Sequence, residues 1–137
     1  MKNSAIIPTM QYKDATKALN WLCEAFGFEQ HLIAEDEDGK VAHAQLTYNN
    51  SMVMIGPRRE TDYGQYIRTP EEAGGVNTQS PYIIVKNIDK HYEQAKASGA
   101  NIIIELREED YGGKLYTCKD PEGFMWNFGS YDPWETN

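Results

Sequence analysis

Apolar residues at Ala15, Ala18, Leu19, Leu22, Cys23 and Phe26 recur at helical spacing along one face, and Asp14 stands where an N-cap belongs. Gly27 follows, offering the left-handed position that ends a helix. Ala5 to Tyr12 reads as a short strand ahead of this helix. Phe28 to Ala34, Val41 to Tyr48 and Met52 to Ile55 read as three strands behind it. Between them lie an acidic turn, Glu35 to Gly39, and a hairpin signal, Asn49-Asn50-Ser51. The pattern then recurs. Pro81 to Lys86 predicts a strand, and Asp89 is placed to cap a helix through Tyr92 and Ala95 that stops at Gly99. Asn101 to Leu106, Lys114 to Cys118 and Phe124 to Tyr131 predict strands, with Asp120-Pro121-Glu122-Gly123 a type I turn before the last.

The two expected caps lie 75 residues apart and the two helix-ending glycines 72 apart. The chain is thus read as an internal duplication, a βαβββ module of residues 4–56 and another of 80–134, together one domain spanning residues 1–137. Residues 57–79 show little periodicity and carry Arg58, Arg59, Tyr63, Tyr66 and Arg68. A lid, an interface and a plain linker all remain open for this segment.

Charge and composition narrow the partners. Thirteen basic against 21 acidic residues give a net charge of −8, which disfavours nucleic acid and anionic membrane surfaces. It predicts electrostatic preference for a cationic ligand over an anionic one. No stretch approaches the ~18 apolar residues of a membrane span, and no signal-peptide core precedes Pro8. Two cysteines, Cys23 and Cys118, make neither a disulfide framework nor a zinc knuckle and are expected to be small buried apolar residues. A cytoplasmic location is expected. The Glu35 to Gly39 run lacks the spaced ligands of a calcium loop and is expected to be a solvated turn.

Two tandem modules, the Asp14-Ala15 helix start, Phe26-Gly27-Phe28, and the closing Asp120-Pro121-Glu122-Gly123-Phe124-Met125-Trp126-Asn127-Phe128-Gly129 resemble the vicinal-oxygen-chelate superfamily. Tyr131-Asp132-Pro133-Trp134 brings the chain nearer its glyoxalase/bleomycin-resistance-like members. The resemblance implies an α+β fold in which two βαβββ modules form a cup-shaped, incomplete barrel, usually in a homodimer. It also implies four metal positions, one on the opening strand and one on a later strand of each module. In this chain they fall on Pro8, Gln45, Tyr82 and Asn127. That set has neither imidazole nor carboxylate, so a divalent metal is disfavoured and no cofactor is expected.

Strand alternation places His43, Gln45 and Thr47 on one face of their strand, with Ala44, Leu46 and Tyr48 on the other. His43, Gln45, Tyr82, Tyr116 and Asn127 are the expected ligand-binding residues, and His43 is the one catalytic candidate. His91 is expected to be exposed on its helix and His31 half-buried on its strand. Trp126 and Phe128 are expected to pack against the second helix. The favoured reading is a protein that binds a small organic ligand without a catalytic metal. The alternative is a metal-dependent lyase or isomerase, in which His43 and Glu105 or Glu122 replace the missing ligands.

Overall fold

The computed structural model describes residues 2–135, and these form the βαβββ unit twice. The first unit is β1 (Thr9–Tyr12), α1 (Ala15–Phe26), β2 (Glu29–Glu35), β3 (Val41–Tyr48) and β4 (Ser51–Pro57). The second is β5 (Tyr82–Ile84), α2 (Ile88–Ala97), β6 (Asn101–Glu108), β7 (Lys114–Lys119) and β8 (Met125–Gly129). Each unit makes a four-stranded mixed sheet, ordered β1-β4-β3-β2 and β5-β8-β7-β6, with the opening strand parallel to the closing one. Neither sheet closes on itself.

The first helix begins as its sequence predicts: Asp14 accepts from Lys17 N at 3.0 Å, and Gly27 ends it at φ 79°. The second begins two residues earlier than expected. Asn87, not Asp89, is the N-cap, and Asp89 instead sits in the first turn, where its carboxylate pairs with Lys114 Nζ at 2.9 Å.

One face of each sheet packs beneath the helices and the other stays open. In the first sheet Ala44, Leu46, Val53 and Ile55 are fully or nearly fully buried beneath α1. In the second, Tyr116, Cys118, Trp126 and Phe128 do the same beneath the helices. These two layers form a single core, because Phe26 at the end of α1 sets its ring against Trp126 at 5.5 Å and Phe128 at 4.6 Å. Trp21 Nε1 donates to Ser98 O at 2.8 Å and ties the two helices at the same seam. Phe128 therefore packs on the end of α1 and on His91 of α2, whereas Trp126 packs on Phe26 and Phe28 of the first module.

His91 belongs to this core, contrary to the expectation of an exposed helix residue. Its Nε2–H donates to the Phe26 carbonyl at 2.9 Å, which leaves Nδ1 to accept from the Tyr116 hydroxyl at 2.7 Å. The ring lies between Phe26 and Phe128. Burial holds its imidazole below the ordinary value of 6.5. The sign follows: the unfolded chain takes up a proton at a higher pH than the folded one. The stability from neutral His91 is full above 6.5 and lost as pH falls through the depressed folded value. The denaturant midpoint is therefore expected to fall between pH 7 and 5. His91→Phe should flatten that slope while losing about 1–3 kcal/mol at pH 8, since the Tyr116 hydroxyl loses its acceptor. An unchanged slope would place the titrating group elsewhere. His31, by contrast, is exposed on β2 rather than half-buried.

Residues 57–79 are ordered by their own contacts rather than by periodicity. A short 3-10 turn covers Gly64–Tyr66. Arg58 reaches both Glu60 and Glu72 at 3.0 Å, and Thr69 and Glu72 exchange backbone-to-side-chain hydrogen bonds as a capping box. No helix among the described residues is long and apolar enough to cross a membrane.

Candidate functional site

Register assigns the open face residue by residue. On β3, His43, Gln45 and Thr47 point away from α1, as alternation predicts, because Ala44 and Leu46 between them are wholly buried. Cross-strand partners extend this face: Met54 lies opposite both Gln45 and Thr9, and Gly56 lies opposite Gln11. In the second sheet Asn127 lies between Tyr82 on β5 and Thr117 on β7, so these three form one row on the side away from the helices, where Thr117 is itself buried.

The expected site residues thus come together as two pairs. His43 and Gln45 touch, with the Gln45 amide nitrogen 3.2 Å from His43 Nε2. The Gln45 amide thus meets the ring nitrogen through which His43 would contact a ligand. Tyr82 and Asn127 are the second pair. Asn127 Oδ1 accepts from the Thr117 hydroxyl at 2.7 Å, and its Nδ2 donates to Ser80 Oγ at 2.9 Å and to the Pro81 carbonyl at 3.1 Å. The Tyr82 hydroxyl donates to the Tyr131 carbonyl at 2.7 Å, lying so close over Gly129 that a Cβ there would meet it at 2.6 Å. Burial, with Tyr111 and Asp132 beside it, pushes the Tyr82 phenol up to about 12, so it is a hydrogen-bond donor at neutral pH.

Tyr116 joins neither pair. It lies opposite Phe128 on the helix side of β7, is wholly buried, and serves His91 rather than a cavity. Cys118 shares that buried side, and burial pushes its thiol up to about 12, which removes it as a nucleophile. Cys23 is only partly buried, on the apolar face of α1.

These residues do not fit a divalent ion. Pro8 offers no side-chain donor, both ends of the Asn127 carboxamide are engaged, and the Tyr82 hydroxyl directs its proton to a carbonyl. The replacement carboxylates are no better placed. Glu122 accepts from Lys13 N at 2.6 Å and Asp14 N at 2.9 Å, and Glu105 is exposed on β6, in the other module from His43. Among the described residues no three His, Cys, Asp or Glu gather.

The open face of the first sheet does hold a cavity, of about 360 Å³, where β1, β3 and β4 meet the segment that follows β4. His43 is the one expected site residue in its lining. Gln11, Met54, Arg59 and Tyr63 also line it, and none of them was singled out for the site from sequence. Gln11 and Met54 enter through the β1–β4 pairing, a contact between distant residues that alternation within one strand does not reveal. Arg59 is the one formal charge among the described residues that line it, so the cavity has the opposite sign from the chain as a whole. A second, wider cavity of about 1240 Å³ lies along the start of α1 and the turn Asp120–Gly123. Neither is lined by Gln45, Tyr82 or Asn127.

Comparison with known proteins agrees with this architecture. The crystal structure of TioX from Micromonospora sp. ML1 superposes with a TM-score of 0.74 at 28% identity, covering 93% of this chain and 98% of that one. A bleomycin resistance determinant encoded on transposon Tn5 superposes at 0.66 with 15% identity, covering 95% and 99%, a likeness of fold. An uncharacterized protein of Mycobacterium bovis is 26% identical over 125 residues, 91% of this chain and 82% of its own length. The model of the Glyoxalase/Bleomycin resistance protein/Dioxygenase superfamily matches residues 7–128, nearly the whole duplicated unit, and the chain belongs to that superfamily.

Proposed function

We propose that this protein binds a small organic ligand on the open faces of its sheets, without the metal that serves catalysis elsewhere in the superfamily, and that it does so as a homodimer. The observation that carries this reading is the state of the four metal positions. Pro8, Gln45, Tyr82 and Asn127 supply no charged donor, and the latter two have their polar atoms engaged within the chain. What remains is a set of amides, methionines and aromatic rings, which suits a partly apolar molecule. His43, Gln45, Tyr82 and Asn127 are the polar groups assigned to it. Within one chain the His43–Gln45 and Tyr82–Asn127 pairs lie on separate sheets. A second copy that sets its second sheet against the first sheet of its partner makes one cup from the two pairs.

The test has two readouts. After incubation with nickel, zinc, manganese or ferrous iron and desalting, the protein should retain no stoichiometric ion. Light scattering should give twice the 15.6 kDa chain mass. One tightly held ion per chain would overturn the metal-free reading, and a monomer would overturn the shared cup.

A further inference from the structure

Two adjacent arginines follow β4, and the structure gives them opposite tasks. Arg58 is a strut, its guanidinium held by Glu60 and Glu72 and by the Arg59 carbonyl. Arg59 is exposed, has no carboxylate within ion-pair distance among the described residues, and lines both the cavity on the first sheet and the edge of the wider one. Its backbone is not free to wander. The Arg58 guanidinium holds its carbonyl, Gly64 passes so near that carbonyl that a Cβ would collide with it, and Thr61 Oγ1 accepts from Gly64 N at 2.9 Å. A fixed loop thus carries an unpaired arginine that borders two cavities, the one on the first sheet, whose described lining contains no carboxylate, and the wider one, which Asp14, Asp36, Glu71, Asp120 and Glu122 also line.

We propose that this cavity takes an aromatic molecule carrying an anionic group, the anion held by Arg59 and the ring set between Met54 and Tyr63. The proposal rests on the reading of the open face as a ligand-binding surface and names the ligand class for it. A guanidinium selects planar oxyanions such as carboxylate or sulfonate because two of its N–H groups match two oxygens. Met54 offers a polarizable sulfur from the sheet floor, and Tyr63, 60% exposed, offers a ring from the loop. Gln11 Oε1 is buried without a partner among the described residues; as an acceptor it suits an N–H or O–H group on the ligand rather than its anion. The net charge of −8 sets a background that favours cations, so the local preference for an anion runs against the expectation from composition.

Three probes of one shape separate charge from shape: 2-naphthoate, 2-naphthamide and 2-naphthylmethylammonium, titrated by calorimetry at low salt. The naphthoate is expected to bind about tenfold tighter than the ammonium, a preference that shrinks as salt is added. Arg59→Gln should reverse the order, with naphthamide affinity changing far less than naphthoate affinity, and Arg59→Lys should keep only part of the naphthoate preference. Since Arg59 is exposed and unpaired, neither variant threatens the fold. If naphthamide binds but naphthoate has no advantage, or if Arg59→Gln weakens all three alike, the anion proposal fails and the binding surface stands. If none of the three binds, both fail.

Discussion

Asp120→Ala is expected to lose about 4 kcal/mol of stability, lowering the melting temperature by roughly 10–15 °C, although the residue touches neither open face. Its carboxylate is 4% exposed and divides its oxygens between two tasks. Oδ1 accepts from Glu122 N and Phe124 N, both at 3.0 Å, and closes the turn before β8. Oδ2 accepts from the Tyr12 hydroxyl at 2.5 Å and from Trp126 Nε1 at 3.0 Å, joining the end of β1 to the core strand of the other module. Alanine leaves two buried side-chain donors without acceptors, each costing about 1–3 kcal/mol, and loosens the turn as well.

Asn is expected to lose about half as much. Its oxygen serves the two backbone donors and its nitrogen donates to Tyr12, but the indole N–H of Trp126 then faces another donor. Burial pushes the Asp120 carboxyl above the usual range against the pull of these four donors, so the neutral amide relieves part of the cost of a buried charge. Its pH dependence opposes that of His91. The protonation-linked part of its stability is full below the ordinary carboxylate value and lost as pH rises through the raised folded value, while the four hydrogen bonds it accepts persist at pH 7. Thermal unfolding of wild type and both variants at pH 7 checks the order; equal melting temperatures would show that the Oδ2 bonds contribute nothing.

The same residue marks how far the sequence could be read. Asp-Pro-Glu-Gly announces a turn through local chemistry, and Gly123 N does donate to Asp120 O at 2.9 Å. Nothing local announces that the other carboxylate oxygen serves Tyr12, 108 residues away. Local signals held for the α1 cap, the bounds of β3 and its alternation, which follow from neighbours a few residues apart, but not for the α2 cap, where Asn87 stands in place of Asp89.

What depends on which face meets which failed. Tyr116 looks amphipathic and suited to a cavity, but its side is set by pairing with Phe128, and its hydroxyl finds His91. His91 looks like a polar residue on a polar helix, yet it lands opposite the end of α1 from the other module. The 57–79 segment was legible only in part. The capping box that Thr69 and Glu72 make shows only in the structure. The pairing of Arg58 rather than Arg59 with Glu72 could not be chosen from sequence.

Phe26→Ala is expected to cost about 3–5 kcal/mol, the range for deleting a wholly buried aromatic ring, and to leave a single unfolding transition. The ring is 1% exposed at the last position of α1, yet several of its aromatic neighbours, Trp126, Phe128 and His91, belong to the second module. Its carbonyl also accepts from His91, so the backbone and side chain of one residue bridge the duplicated halves. If the halves were independent folding units, truncating Phe26 would destabilise the first and leave the second standing, and unfolding would split in two. A shared core predicts otherwise, because neither layer stays buried without the other. In a background carrying Trp21→Phe and Trp134→Phe, the remaining Trp126, wholly buried beneath Phe26, reports the second module by fluorescence, while far-UV circular dichroism reports both helices. Coincident transitions in Phe26→Ala, shifted together to lower denaturant, are the expected result. A Trp126 transition left at its wild-type midpoint would show two domains where the core indicates one. Since the open faces lie on the far side of both sheets, 2-naphthamide affinity should survive the substitution under conditions where the variant remains folded, which separates the stability of the scaffold from the chemistry of the cup.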